Sequence, residues 1–411
     1  MFPKKPVKLV TCLVVALFFF ILNYLLKLLP VTDDGHKYEN KIDMLIFEEL
    51  KHLPKYHINE HEDTKAAMFL EAVKSAENVE ISKLNLKELW DEANLWPSVN
   101  QLTNITSPSI GSIMYALKHA RITKADLDTR GTQLKLLLTL TGGQLCVFKP
   151  KWYEKEKVIE GPVYSGKDRY GAEIVAFYLS ILLNKPLTPI SVQRTISLKY
   201  DILPVATKRL LNTTFLRNNR TCIYGKCFYC RKEDPICEDE HNFLTGAVIF
   251  NVKKSFSNYR SPWQRTYKKT KRAQWESDLD YCKMVKTKLQ KRRILDLIDT
   301  AIFDFLIQNG DRHHYETFED TVVWIDNGKG LGNPFVQHLD ILAPLYQCCM
   351  LRKKTWKSLQ NLSGGNLTKY MRLMPDVQDV LTELHLQAIE KRLLLVFATV
   401  EYCNKKNNKV R

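Results

Sequence analysis

The sequence predicts an α+β fold, with strands gathered in its first half and helices in its second, preceded by one apolar span. Three observations predict it. "TQLKLLLTL" alternates Leu134, Leu136, Leu138 and Leu140 on one face, and "TGGQ" and "LCVFK" complete a β-hairpin. Beyond Arg293, "ILDLIDTAIFDFLIQN" repeats Ile294, Leu297, Ile298, Ala301 and Phe305 at helical spacing. At the start, Leu9 to Leu26 holds no charged residue.

The apolar span comes first in the chain. At ~1.5 Å per residue, residues 9–29 cover roughly the ~30 Å of a bilayer core. Lys4, Lys5 and Lys8 precede it, which favours a cytoplasmic tail over residues 1–8. No A-x-A site follows, so the span reads as a retained signal-anchor, with a cleaved signal peptide or a buried helix as the alternatives. Everything from Pro30 onward is then lumenal. Lys plus Arg exceed Asp plus Glu by 61 to 45, a net charge of +16, which calls for an anionic partner. A lumenal domain leaves nucleic acid out as that partner. The cysteines agree with an oxidising compartment. Setting aside Cys12 and Cys146, eight remain: Cys222, Cys227, Cys230, Cys237, Cys282, Cys348, Cys349 and Cys403. An even number there reads as disulfides. Zinc is the alternative for "CIYGKCFYCRKEDPIC", but there is one C-x-x-C and no second pair at zinc-finger spacing. Sequons at Asn104, Asn212, Asn219, Asn361 and Asn366 suit the same compartment.

The remaining elements follow in order. Residues 30–95 are charged, with helical patches such as "DTKAAMFLEAVKSA", and read as a lumenal stem. A strand-rich region over 96–205 holds the hairpin, with Lys149 at the end of its second strand and Pro150 closing it. "DRYGAEIVAFYLSILLNK" (168–185) reads as a helix with Glu173 near its start. Residues 206–245 read as a cysteine-rich insertion. "GAVIFNV" (246–252) is a short buried strand or connector opening a helix-rich region, 246–411. "TVVWID" is a strand ending on Asp326, and a helix from about 376 to 403 closes the chain.

Phosphoryl transfer to a hydroxyl needs a lysine for the nucleotide phosphates and a helix acid to hold it. It also needs a loop aspartate to orient the acceptor and a second aspartate for a divalent metal. Lys149, Glu173, Asp311 and Asp326 occur in that order on a strand, a helix, a loop and a strand end. Each has a plainer reading: a strand-end lysine, a helix-surface acid, an Asp311–Arg312 salt bridge, a "DNG" turn. His313 and His314 are adjacent, and neighbours rarely converge on one ion, so they read as shaping the loop. A glycosidase using Asp311 with Glu316 or Asp326 is the main rival, but it leaves Lys149 and Glu173 without a task.

"GTQLK", "VFKPK", "DRYGAEIVAF", "CIYGKCFYC", "PWQRTY", "DYC", "DTAIFDFLIQNGDRHHYETF", "DNGKGLGNP" and "ILAPLYQCC" occur in this order between Ser112 and Cys403. By these motifs the chain resembles the secretory-pathway kinase family that includes the Golgi casein kinase and the glycosaminoglycan xylosylkinase. "YGKCFYC" and "LAPLYQCC" are more similar to the xylosylkinase branch. The resemblance implies an atypical two-lobed kinase-like fold, disulfide-stapled, with a strand-rich N-lobe and a helical C-lobe. It implies ATP with Mn²⁺, or Mg²⁺, as cofactors. Gln133 and Lys149 would then contact phosphates, Glu173 would position Lys149, and Ile249, Phe250, Asn251 and Val252 would flank adenine. Asp311 would be the catalytic aspartate, Glu316 a nucleotide-site acid, and Asp168 and Asp326 the metal ligands. Glu316 stands where ordinary protein kinases carry an asparagine. The implied disulfides are Cys222–Cys237, Cys227–Cys230, Cys282–Cys348 and Cys349–Cys403. The implied acceptor is the 2-hydroxyl of xylose in the Gal-Xyl linkage region of proteoglycans, and the implied location the Golgi membrane. A secretory serine kinase and a non-catalytic carbohydrate-binding scaffold are the alternatives.

Overall fold

The computed structural model describes residues 41–53, 64–77, 79–268 and 271–408. Two units divide the chain, Met1–Leu45 and Ile46–Arg411. Of the first, only residues 41–45, the opening of helix α1 (Lys41–Lys51), are described. The expected tail and signal-anchor at 1–8 and 9–29 lie outside the described residues. Among those described, no helix is long and apolar enough to cross a membrane.

After the remainder of α1, the second unit continues with helices α2 (Thr64–Ala76), α3 (Leu86–Leu95) and α4 (Ile110–His119). The expected stem ends earlier than residue 95, because α2 and α3 carry apolar side chains that need partners. Phe69 is fully buried and meets Phe177 and Tyr178 edge-on, at centroid distances of 6.1 Å each. Buried Trp90 donates its indole N–H to the Thr141 carbonyl at 2.9 Å. Gly111 lets α4 cross α2 at backbone contact: a Cβ there would lie 2.0 Å from the Ala72 carbonyl oxygen.

Strands β1 (Ile122–Leu127), β2 (Leu136–Leu140), β3 (Leu145–Pro150) and β4 (Ser191–Ile196) precede the insertion. The insertion carries β5 (Thr214–Arg217), β6 (Arg220–Ile223) and β7 (Ile236–Cys237) as a small sheet of its own. Strand β8 (Leu244–Phe250) then returns, and the main antiparallel sheet runs β1-β2-β3-β8-β4. The boundary expected at residue 246 is therefore corrected. Strand β8 is an inner strand of the N-terminal sheet, pairing β3 on one side and β4 on the other. A run buried at nearly every position suits a strand covered on both faces. Helix α5 (Tyr170–Leu182) is buried along its whole length and packs against β4 and β8. Leu134, Leu136, Leu138 and Leu140 are all buried, as their alternation requires.

The C-terminal half holds α6 (Tyr281–Lys288), α7 (Lys291–Ile307), α8 (Ala343–Cys348) and α9 (Glu383–Asn408). Strands β9 (Ser257–Arg260), β10 (His314–Phe318) and β11 (Thr321–Val323) form a sheet in the order β11-β10-β9. The expected closing helix is broken: Val377–Val380 is a single turn, and α9 starts only at Glu383. Four disulfides join Cys222–Cys237, Cys227–Cys230, Cys282–Cys348 and Cys349–Cys403. The last two tie α6 to α8 and the end of α8 to α9. Cys146 stays reduced and buried in β3.

Candidate active site

Lys149 ends β3 with its side chain only 4% exposed. Its ammonium donates to Glu173 Oε1 at 2.6 Å, Asp326 Oδ1 at 2.6 Å and Asp168 Oδ2 at 3.1 Å. Burial opposes the charge on Lys149, but Asp168, Asp326 and Glu173 outweigh it and hold the pKa well above the ordinary lysine value. The same attraction, chiefly from Lys149, pulls the Asp326 carboxyl well below the carboxylate range. Glu173 is fixed from a second side. The Asn327 backbone N–H donates to its Oε1 at 2.9 Å, and the Asn327 amide to its Oε2 at 3.3 Å. Asp326 itself adopts a left-handed backbone, φ 58°. Gly328 passes so close to Asp168 that a Cβ would lie 2.7 Å from its carboxyl carbon. The turn after β11 is thus closed onto α5 and the loop before it.

Asp311 follows α7, whose helix ends on Gln308 in a left-handed cap, φ 55°. Tyr267 donates its hydroxyl to Asp311 Oδ1 at 2.6 Å. Burial and the Asp311 charge both push the Tyr267 phenol above its usual range, so it remains a donor. The suggested Asp311–Arg312 salt bridge is not formed. Arg312 instead pairs with buried Asp304 at 2.7 and 2.9 Å, and it donates to Asn327 Oδ1 at 2.8 Å and to the Ile325 carbonyl. It therefore couples the Asp311 loop to the Asp326 turn. His313 places Nδ1 2.8 Å from the Asp311 carbonyl and packs its ring against Tyr267. Glu316, on β10, has its carboxyl pushed up by burial, with Arg312 opposing the shift.

One cavity of about 470 Å³ collects these groups. Gln133, Lys149, Asp168, Glu173, Asp311, Glu316 and Asp326 line it, as do Ile249, Phe250, Asn251 and Val252. Every non-cysteine, non-sequon residue singled out from the sequence reaches this cleft. Four further charged groups also line it: Asp128, Arg130, Lys135 and Lys329. Arg130 grips Asp128 through two nitrogens and reaches Asn251 at 3.4 Å. Lys135 and Lys329 sat inside the quoted "GTQLK" and "DNGKGLGNP". Tyr267 sat inside "PWQRTY", yet nothing local linked it to an aspartate 44 positions away. Among the described residues no group of three or more His, Cys, Asp and Glu side chains forms a metal cage. Of the sequons, Asn212, Asn219 and Asn361 are exposed, while Asn104 and Asn366 are half-buried.

A salt-linked lysine and two aspartates across one cleft can hold a phosphate chain, a divalent ion and an acceptor hydroxyl. Residues 88–411 match the family model described as Golgi casein kinase, C-terminal, Fam20. The chain is 48% identical over 328 residues to a Drosophila melanogaster protein named glycosaminoglycan xylosylkinase homolog, covering 78% of each. Against the Homo sapiens protein named glycosaminoglycan xylosylkinase it is 42% identical over 331 residues, 77% of this chain and 81% of that one. A solved structure titled hydra Fam20 with sugar superposes with a TM-score of 0.74 at 41% identity, covering 80% of this chain and 97% of that one. Kinase-like architecture, disulfide frame and family match coincide over the same stretch, and the chain belongs to the Fam20 family.

Proposed function

We propose that this protein is a glycosaminoglycan xylosylkinase. It transfers the γ-phosphoryl group of ATP to the 2-hydroxyl of xylose in the Gal-Xyl linkage region of proteoglycans. The observation that carries the phosphoryl-transfer reading is the convergence of Lys149, Glu173, Asp168 and Asp326 on one wall of a cleft that also holds Asp311. The names of the Drosophila and human relatives support the acceptor.

In this reading Lys149 and Gln133 bind phosphate oxygens, and Glu173 keeps the Lys149 ammonium pointed into the cleft. Ile249, Phe250, Asn251 and Val252 flank the adenine at the end of β8. Asp311 orients the acceptor hydroxyl and accepts its proton. Asp168 and Asp326 suit Mn²⁺, with Mg²⁺ as the alternative: both are hard oxygen donors, and both already converge on one cationic point at the Lys149 ammonium. Gly328 leaves room for the Asp168 carboxylate there, where a Cβ would collide with it. Two carboxylates would hold such an ion only in part, as suits a metal that arrives with a nucleotide. A bound ion would supply charge neutralisation at the phosphates, and Glu316 would add an acid to the nucleotide side of the cleft. The protein works in the Golgi lumen, held by residues 9–29 as a single-pass type II anchor. Four disulfides and three exposed sequons support an oxidising, glycosylating compartment.

Incubating the purified protein with ATP, Mn²⁺ and either a Gal-Xyl glycoside or casein tests the reading. Phosphate on the xylose 2-hydroxyl is the expected outcome. Labelling of casein alone would make it a serine kinase, and labelling of neither would leave a scaffold.

A further inference from the structure

The excess positive charge is concentrated. Residues 253–293 hold fourteen Lys and Arg against three Asp and Glu, so eleven of the sixteen surplus charges lie in a tenth of the chain. Its described residues include β9, Tyr267, α6 and the first turn of α7. A groove of about 680 Å³ runs among them. Pro262, Tyr281, Met284 and Leu289 give it apolar lining, and Arg260 and Lys288 give it cations. Both cations are exposed, and neither forms an ion pair among the described residues. Arg265, which also lines the groove, is already committed to Asp340.

The groove is continuous with the catalytic loop. Arg260 pairs across the sheet with His314, which lines the main cleft. Ser261 donates its backbone N–H to the His313 carbonyl at 3.0 Å. Arg265 Nε donates to the Gly310 carbonyl at 3.2 Å, one residue before Asp311. Arg260 thus stands where the groove adjoins the Asp311 loop, and Lys288 lines the groove with it.

We propose that this groove binds an acidic peptide segment of the acceptor's core protein, beside the point of glycan attachment. The proposal rests on the xylosylkinase reading above. An acidic peptide fits better than a sulfated polysaccharide because apolar side chains separate two unpaired cations. Carboxylates interspersed with apolar residues match that lining, whereas a sulfated chain needs a dense row of cations. Exposed Lys268 and Lys286 add diffuse attraction that speeds encounter.

The test compares three acceptors: a free Gal-Xyl glycoside, a glycopeptide with Glu flanking the sugar, and its Gln-flanked twin. The Glu glycopeptide is expected to have a KM about tenfold below the Gln form, and the gap should narrow as salt rises. Arg260→Ala with Lys288→Ala should raise the Glu-form KM to the Gln level, with kcat and the glycoside KM unchanged. Fluorescence anisotropy of the Glu peptide without sugar should show binding to the parent protein and its loss in the double variant. That readout stands even if no glycan is phosphorylated, so failure of the xylosylkinase reading is distinguishable. Equal KM values for the two glycopeptides, or a preference that survives the double variant, would overturn the proposal. So would displacement of bound probe by a sulfated oligosaccharide but not by the acidic peptide.

Discussion

At the scale of single residues, the site depends on who holds each carboxylate. Among the described residues no Lys or Arg pairs with the Asp311 carboxylate: Arg312 beside it is spent on Asp304, and the ring of His313 lies 3.7 Å from its Oδ1. Its Oδ1 accepts from the Tyr267 hydroxyl, which orients the carboxylate. Asp311→Asn is expected to lower kcat by a factor on the order of 10²–10⁴, with the melting temperature unchanged. A phosphorylation assay beside a thermal melt reads both. Tyr267→Phe removes only the 2.6 Å donor. Its expected effect is roughly a tenfold loss of kcat with the KM for ATP unchanged, because the nucleotide side of the cleft is untouched. A change in the ATP KM instead would assign Tyr267 to nucleotide binding.

Among elements, the turn after β11 does the most with the fewest residues. It presents Asp326 through a left-handed backbone, clamps Glu173 through Asn327, and passes Gly328 against Asp168. Gly328→Ala puts a methyl 2.8 Å from Asp168 Oδ2, so the carboxylate must move. The expected result is a raised Mn²⁺ concentration for half-maximal activity, measured by titration, while Lys149→Ala abolishes transfer outright. The helical half relies on covalent ties. Cys349 and Cys403 close a loop of 54 residues between α8 and α9. In the chain-entropy account such a loop contributes about 4 kcal/mol. Replacing both by serine should lower the melting temperature by several degrees without changing the reduced and oxidised cysteine count elsewhere, as thiol titration would show.

For the whole molecule, pH enters through a histidine away from the cleft. Buried His385 donates Nε2–H to the Leu331 carbonyl at 3.2 Å, while Nδ1 accepts from the Thr382 hydroxyl at 2.8 Å. Burial lowers its pKa from 6.5 to about 4, against the pull of the Leu331 carbonyl. The folded state thus binds the proton less readily than the unfolded chain. The stability this contributes is full above pH 6.5 and is lost as pH falls from 6.5 towards 4, a span worth on the order of 3 kcal/mol. Melting temperatures of the parent should fall across that window, and His385→Gln should flatten the fall. An unchanged slope would show that His385 titrates alike in both states.

The sequence by itself determined the order of the parts. Lys149, Glu173, Asp311 and Asp326 could be read because each sits near one end of an apolar element, or in the loop just beyond it, and those elements are marked locally. The Leu134–Leu140 alternation and the α7 repeat are contacts a residue makes with its own strand or helix, so they are written in spacing. Tertiary structure alone decided what crosses between elements. Residues 246–252 read equally as a buried strand or a connector until β3 and β4 both pair with β8, and α2 reads as stem until Phe69 meets α5. Tyr267 gains its meaning only when the chain returns it to Asp311, and Arg312 chooses Asp304 over its neighbour only once Asp304 is buried without another cation. The physical reason is common to all of these. Periodicity encodes which side of an element must leave water, but not which distant polar group will be waiting there.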